Sequence, residues 1–126
     1  MPGRPVVPAG TAVAGPYSPA VQAGGFLFVS GQLPVTAGGA LLTGSIADQT
    51  RQCLENVGRI VQSAGGTVRD LVKVTIFLAD MDDFAAVNTA YAAFLGAELP
   101  ARSCVEVSRL PKDARIEIEA IAYLGS

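Results

Sequence analysis

The chain has 126 residues, half of them hydrophobic and only 16% charged, with a formal net charge of −2. This composition excludes a disordered chain, and because no run of Lys or Arg occurs, it offers no basic stripe for electrostatic binding to nucleic acid. The lack of any histidine excludes Ser-His-Asp and Cys-His triads and disfavours a zinc or iron site, so proton transfer would fall to Glu, Asp, Tyr, Lys or Cys.

The length predicts a single domain over residues 1–126 with one hydrophobic core. No apolar run approaches the roughly 20 residues that cross a membrane. The first 16 residues lack the apolar core of a signal peptide, so we expect a cytoplasmic protein. Cys53 and Cys104 are too few for a disulfide framework and are predicted to be free thiols.

The sequence predicts a β-hairpin near its start. Residues 1–16 are interpreted as an extended lead-in, because Pro and Gly punctuate them. Two short apolar runs then flank Gly24 and Gly25, a pair typical of a tight turn between antiparallel strands. The stretch 33–44 contains turn-forming residues and is predicted to be a loop.

A helix and a buried strand are predicted next. Ser45 precedes apolar residues at helical spacing, and Asp48 three positions on matches a capping box in which Asp replaces Glu. Gly65 follows the last of these apolar residues and is typical of a helix end. Residues 71–79 are β-branched and apolar, which predicts a central strand.

The chain is then predicted to form a second helix and two strands. Asp80 is a favourable N-cap, and Pro100 stops the chain beyond the helix. Residues 101–122 alternate as two strands separated by a turn-forming stretch. The apolar stripe of the second helix consists of Phe84, Val87, Tyr91, Phe94 and Leu95.

This order of elements predicts an α+β fold in which one mixed sheet carries both helices on one face. The other face of the sheet then has no cover within the chain. So apolar a chain is expected to cover such a face by association with further copies of itself. The sequence therefore predicts a homo-oligomer.

Charged side chains in the last two strands are the first candidates for a functional site. A rigid Arg102 could hold a carboxylate through two parallel hydrogen bonds, although such an Arg is often a surface residue or part of a structural salt bridge. Glu117 and Glu119 share one face of the last strand. They could face solvent, or a carboxyl beside an apolar interface could have a raised pKa and transfer protons.

Four further residues are weaker candidates, because each has an ordinary structural explanation. Ser30 and Gly31 end the second strand of the hairpin, where Gly31 permits a close backbone approach or a positive φ. Tyr17 is a loop aromatic that could anchor its loop on the core. Asn88, in the second helix, could simply face solvent.

Five segments of the chain form a recognisable set of motifs: GPYSPAV (15–21), VSGQLPV (29–35), DQTRQCLENV (48–57), KVTIFLADMDDFAAVNTAY (73–91) and PARSCVEVSRLPKDARIEIEAIA (100–122). In this order they resemble the RidA/YjgF family of imine and enamine deaminases. The resemblance covers nearly the whole chain, and the last segment is its most specific part. It implies a chorismate-mutase-like fold and a homotrimer in which the sheets pack into a central barrel, with ligand clefts between adjacent subunits.

The resemblance assigns two catalytic residues. Arg102 matches the arginine that holds the substrate carboxylate, and Glu117 matches the glutamate that positions or activates the attacking water. The implied reaction is hydrolysis of 2-aminoacrylate, 2-aminocrotonate and their 2-imino acid tautomers to 2-oxo acids and ammonia, as in a 2-iminobutanoate/2-iminopropanoate deaminase. No metal or organic cofactor is expected. Glu106 and Glu119 are expected to be structural or solvated.

The resemblance also implies a set of substrate-binding residues. Tyr17 matches a cleft tyrosine near the interface, while Ser30 and Gly31 match residues that line the cleft. Asn88 matches the asparagine of the family's second helix. Cys104 is expected to contact the ligand through its backbone, so its thiol is not expected to be a nucleophile.

The chain departs from the family pattern at Pro19, where Gln is common, and in a short loop over residues 95–99. The shorter loop would change the rim of the cleft and the size of the substrate. Three alternatives stay open: a deaminase of another imine, a non-catalytic 2-oxo acid sensor or chaperone-like trimer, and an endoribonuclease or translation inhibitor, as in older names of the family. The last is disfavoured by the missing basic stripe and histidine, and Glu117 favours catalysis because binding a 2-oxo acid does not require it.

Overall fold

The computed structural model describes residues 2–9, 11, 13 and 15–125 of the chain. Within them the regular elements confirm the predicted order of hairpin, helix, strand, helix and two strands, with one further short strand at the start. That strand lies in the segment predicted to be a plain extended lead-in. The elements are β1 Arg4–Val6, β2 Ala20–Ala23, β3 Phe26–Gln32, α1 Ile46–Ser63, β4 Leu71–Leu78, α2 Phe84–Leu95, β5 Ala101–Glu106 and β6 Ile116–Tyr123.

All six strands form one mixed sheet in the order β1-β2-β3-β6-β4-β5. The last strand in the sequence lies in the interior of the sheet, antiparallel to both β3 and β4. Only β4 and β5 run parallel, because α2 carries the chain back across the sheet between them. The strand predicted to be central, β4, is therefore an interior strand, next to the edge strand β5.

Both helices pack on the same face of the sheet, as predicted, with α1 against β3 and β6 and beside α2. Ser45 begins α1 by accepting a hydrogen bond from the Asp48 amide (3.1 Å), and Gly65 follows its end in a left-handed conformation (φ 94°). The strands supply the alternate side chains that fill the core: Leu27, Val29, Val74, Ile76, Leu78, Ile116 and Ile118. No helix of the described part of the chain is long and apolar enough to cross a membrane.

The second helix begins later than its sequence predicts. The Asp80 carboxylate accepts a hydrogen bond from the Asp82 amide (2.9 Å), but it caps a 3-10 turn over Met81–Asp83, and α2 begins only at Phe84. Phe84, the first residue of α2, is 39% exposed and does not belong to the core, contrary to its predicted place in the apolar stripe. This difference bears on the site, because Phe84 contacts Arg102.

The opposite face of the sheet carries exposed aromatic rings. Phe26, Phe28 and Tyr123 are 42%, 45% and 47% exposed. Their rings contact one another, with centroids 6.4 Å apart for Phe26 and Phe28 and 5.1 Å apart for Phe26 and Tyr123. The prediction that the chain leaves one sheet face uncovered is confirmed for the part of it that the structure describes. An exposed apolar patch of this kind indicates an interaction surface.

Candidate functional site

An open groove lies on the uncovered face of the sheet, next to the end of β3. It encloses about 450 Å³, within the range of sites that bind small molecules. Glu117 lines it from β6, an interior strand paired with both β3 and β4. We call this site the Glu117 groove; its lining residues are Tyr17, Ser30, Gly31, Leu33, Pro111, Glu117 and Glu119.

Gly31 allows the Glu117 carboxyl group to lie directly against the backbone of β3. A Cβ atom on Gly31 would lie 2.7 Å from both Cδ and Oε1 of Glu117, closer than real Cβ contacts allow. The pairing of β3 with β6 shifts register between Val29 and Gln32, and such a bulge bends the strand at the position of Gly31. Of the two explanations that the sequence left open for Gly31, close approach therefore applies; its φ is not positive.

The environment of Glu117 raises the pKa of its carboxyl group. Burial of the half-exposed side chain is the larger cause, and the negative charge of Glu119, two residues along the same strand face, is the smaller one. Both effects disfavour the ionised form. A raised pKa makes the ionised carboxylate a better proton acceptor, which suits general acid–base catalysis.

Ser30 holds the loop that brings Tyr17 to the groove. The Ser30 hydroxyl donates a hydrogen bond to the Ser18 carbonyl (2.6 Å), and the Ser30 amide donates to the Pro19 carbonyl (2.9 Å). Pro19 makes this contact through its carbonyl oxygen, which every residue type has. The loop is thereby fixed beside β3, with the Tyr17 ring about half exposed at the groove.

Arg102 lies in a second cluster, formed by β5 and one side of α2. Its Nη2 donates a hydrogen bond to Asn88 Oδ1 (2.8 Å). Its Cζ lies 4.9 Å from the centroid of the Tyr91 ring and 5.7 Å from that of Phe84. We call these residues, with Cys104, the Arg102 cluster.

Cys104 follows Arg102 on the same face of β5 and packs against the core. Burial raises the pKa of its thiol, and the positive charge of Arg102 lowers it by a smaller amount. A thiol with a raised pKa is a poor nucleophile at neutral pH. That Cys104 contacts a ligand through its backbone stays a prediction. Both cysteines are free, as predicted.

The two clusters face opposite sides of the sheet. Arg102 pairs in register with Val74, which is buried under the helices. Glu117 pairs with Phe77, three residues along β4 from Val74 and therefore on the opposite face. A single chain thus brings Tyr17, Ser30 and Gly31 to Glu117 and brings Asn88 and Cys104 to Arg102, but it does not bring the two groups together. A pocket containing both Arg102 and Glu117 requires two copies of the chain.

Three residues of these clusters were not selected as site residues from the sequence. Glu119 was expected to be structural or solvated; it is exposed, but it also lines the Glu117 groove. The sequence predicts both Phe84 and Tyr91 in the core stripe of the helix; Tyr91 is in the core and Phe84 is not, and both contact Arg102. A signal was available, because residues 84, 88 and 91 follow the i, i+4, i+7 spacing of one helix side.

Comparison with known proteins defines the class of this fold and site. The structure superposes on that of the yeast protein YEO7 with a TM-score of 0.94 at 40% identity, covering 98% of this chain and 99% of that one. It superposes on TdcF of Escherichia coli with bound serine with a TM-score of 0.89 at 42% identity, covering 97% and 100% of the two chains. The fold is therefore that of the YjgF-type α+β proteins.

The sequence comparisons give the family. Residues 9–124 match the family model described as Endoribonuclease L-PSP, so the chain belongs to that family, which is the RidA/YjgF family. The chain is 56% identical over 110 residues to a RutC family protein of Pyrococcus horikoshii, covering 86% of this chain and 87% of the relative. It is 51% identical over 114 residues to the 2-iminobutanoate/2-iminopropanoate deaminase of Escherichia coli K12, covering 88% and 89%.

Proposed function

We propose that this protein hydrolyses reactive 2-imino acids, formed from enamines such as 2-aminoacrylate and 2-aminocrotonate, to 2-oxo acids and ammonia. The observation that carries the proposal is the Glu117 carboxyl group, which has a raised pKa and lies against Gly31 in an open groove. The relative named 2-iminobutanoate/2-iminopropanoate deaminase, at 51% identity, supports the same activity. The cytoplasmic location expected from the sequence is part of this proposal.

The active form is a homotrimer in which each site is shared between adjacent subunits. Two copies are needed because Arg102 and Glu117 face opposite sides of one sheet. Association through the uncovered face would also bury the rings of Phe26, Phe28 and Tyr123. Since each ring is nearly half exposed, its burial would contribute about 1 kcal/mol to association.

The reaction then follows from the charges of the two clusters. The Arg102 guanidinium of one subunit binds the carboxylate of the imino acid, which fixes the imine carbon over the groove of the neighbouring subunit. Water adds to the carbon of the protonated imine while the Glu117 carboxylate accepts a proton, which gives a neutral carbinolamine. The carbinolamine takes this proton back on nitrogen and expels ammonia, while its hydroxyl group loses its proton to the Glu117 carboxylate, so that a C=N bond is replaced by a C=O bond.

Two other activities account less well for the site. An endoribonuclease, as in the description of the family model, must bind phosphate, yet the groove presents the carboxylates of Glu117 and Glu119; like charges repel such a ligand. A protein that only binds 2-oxo acids needs Arg102 but has no use for a carboxyl group with a raised pKa. Deamination of a different imine would use the same residues and differ only in the rim of the site.

Imine hydrolysis tests the activity directly. A serine dehydratase generates 2-aminoacrylate, semicarbazide traps the imine that remains, and the protein is added at a fixed concentration. We expect the wild type to reduce the trapped imine and Arg102→Ala to fail to do so. Arg109→Ala is the matched control, because Arg109 is an exposed arginine paired with Asp113 at 2.7 Å. Equal trapping with and without wild type would contradict the proposed activity.

Subunit mixing tests the shared site. Arg102→Ala and Glu117→Gln chains are each expected to be inactive, but after denaturation and joint refolding a subunit with intact Arg102 can face one with intact Glu117. Random assembly of an equal mixture restores about a quarter of the wild-type sites. A mixture as inactive as its components would show that each site lies within one chain or in a different arrangement.

A further inference from the structure

Arg102 is held by other kinds of group than the arginines that form salt bridges. Arg51, Arg109 and Arg115 each pair with an aspartate at 2.7–3.0 Å. Among the residues that the structure describes, Arg102 has no carboxylate partner. It is held instead by a neutral amide and two aromatic rings. Its positive charge is therefore fixed in position but not neutralised by the chain.

The rings of Tyr91 and Phe84 form a surface against which the guanidinium lies. Both centroids, at 4.9 and 5.7 Å from Cζ, are within the roughly 6 Å at which a cation is attracted to an aromatic face. Tyr91 is 4% exposed and therefore held by the core, whereas Phe84 is 39% exposed at the rim. The closer ring is thus the more rigid one.

Asn88 completes this arrangement by fixing the rotation of the guanidinium. It accepts one N–H from Nη2 at 2.8 Å, and a guanidinium has five N–H donors in one plane. The other donors remain for a carboxylate, which is best bound through two parallel N–H···O bonds in that same plane. A lysine ammonium has no such plane and could not use the rings and the amide in this way.

We propose that Tyr91 and Phe84 are positioning residues: together with Asn88 they hold the Arg102 guanidinium in the plane and rotation that receive the substrate carboxylate. The inference deepens the proposed function, because it assumes that Arg102 binds a 2-imino or 2-oxo acid. Tyr91 has the larger effect, since its ring is both nearer and buried. The Tyr91 hydroxyl is buried and has no hydrogen-bond partner among the described residues, so the positioning role is assigned to the ring alone.

Four variants test the assignment in the imine hydrolysis assay. Tyr91→Leu removes the nearer ring and should raise KM about tenfold, and Phe84→Leu should raise it less. Tyr91→Phe keeps the ring and should leave KM within about twofold of wild type. Phe94→Leu is the control, because Phe94 is an aromatic residue of the same helix that packs on the core. A purely structural role would lower the active fraction, and so the apparent kcat, without a change in KM.

A second measurement does not depend on catalysis. In the 1H–15N NMR spectrum, the Arg102 Nε–Hε signal can be identified by its loss in Arg102→Lys. Ring currents should shift this signal in the wild type, so its chemical shift should change in Tyr91→Leu but not in Phe94→Leu. Binding of 2-oxobutanoate should weaken about tenfold in Tyr91→Leu and stay unchanged in Phe94→Leu. If wild type binds 2-oxobutanoate in this pattern but does not hydrolyse imines, the proposed activity fails and the positioning role stands. An unmoved signal, an unchanged KM or unchanged binding in Tyr91→Leu would overturn the positioning role.

Discussion

The Glu117 groove and the Arg102 cluster are built in opposite ways. In the groove, a flexible carboxyl side chain lies against a bare stretch of backbone, and its neighbour Glu119 disfavours its charge. In the cluster, a charged side chain is held on several sides by neutral groups that leave its charge intact. The groove is suited to moving a proton and the cluster to binding an anion at a fixed place. We therefore expect proton transfer at the groove and anion binding at the cluster to be weakened separately by mutation.

The largest expected effect is on kcat and KM, which should separate proton transfer by Glu117 from carboxylate binding by Arg102. Glu117→Gln should lower kcat by about 10²–10⁴-fold with little change in KM, because the amide keeps the shape of the group and loses the proton transfer. Arg102→Ala should raise KM as well as lower kcat, because the carboxylate loses its partner. Steady-state kinetics on 2-imino acid generated in situ would measure both. If the two variants show the same pattern of kcat and KM, the division of roles is wrong.

A smaller effect is expected from Gly31→Ala, which disturbs the groove without removing a functional group. The new Cβ would displace the Glu117 carboxyl, the flexible end of a side chain, so activity should fall at least tenfold while the free energy of unfolding changes by less than about 1 kcal/mol. Urea denaturation and kinetics on the same preparation would measure the two quantities.

Gly25→Ala is the matched control for this change. A Cβ on Gly25 would overlap the backbone oxygen of Gly125, and this backbone is held beside Gly25 by the hydrogen bond from the Leu124 amide to the Gly25 carbonyl (2.7 Å). We expect it to destabilise the protein by about 1–3 kcal/mol and to leave KM unchanged. If Gly31→Ala behaves in the same way as Gly25→Ala, Gly31 is needed for folding and not for placing Glu117.

The smallest effect concerns pH. Glu119→Gln removes the lesser cause of the raised pKa of Glu117 and leaves burial, so that pKa should fall partway toward its usual value. If ionised Glu117 accepts the proton, the acidic limb of the kcat/KM profile should move to lower pH, and the rate above the limb should stay the same. Glu106→Gln is the control, because it also removes one negative charge. Glu106 accepts a hydrogen bond from the Met81 amide, and its replacement should leave the acidic limb of the profile unmoved. A limb that shifts equally in both variants would reflect net charge alone.

The parts of this fold that could be predicted are those with local causes. Ser45 begins a helix through its own side chain, and Gly24 and Gly25 shape a turn between neighbouring strands. The short strand β1 could not be predicted, because its pairing with Ala20–Gln22 depends on residues some fifteen positions away and not on its own composition. The 3-10 turn before α2 was missed because Asp80 and the acidic residues after it are equally suitable for either kind of helix.

The same distinction between local and long-range causes applies to the candidate site. Alternation within one strand was enough to place Glu117 and Glu119 on one face. The face of Arg102 depends on the parallel register of β5 with β4, which only the crossover through α2 sets. The contact of Gly31 with Glu117 depends on a bulge between β3 and β6. Such relations between distant strands have no signature in either strand alone.

The placement of Arg102 and Glu117 on opposite faces has a consequence for the concentration at which the protein works. If every site draws on two subunits, a separate chain has no complete site, and the activity per chain must fall on dilution below the dissociation constant of the trimer. A newly synthesised or displaced subunit would be inert toward imines until it met its partners. Expression level would then control not only how much catalyst is present but also what fraction of it functions.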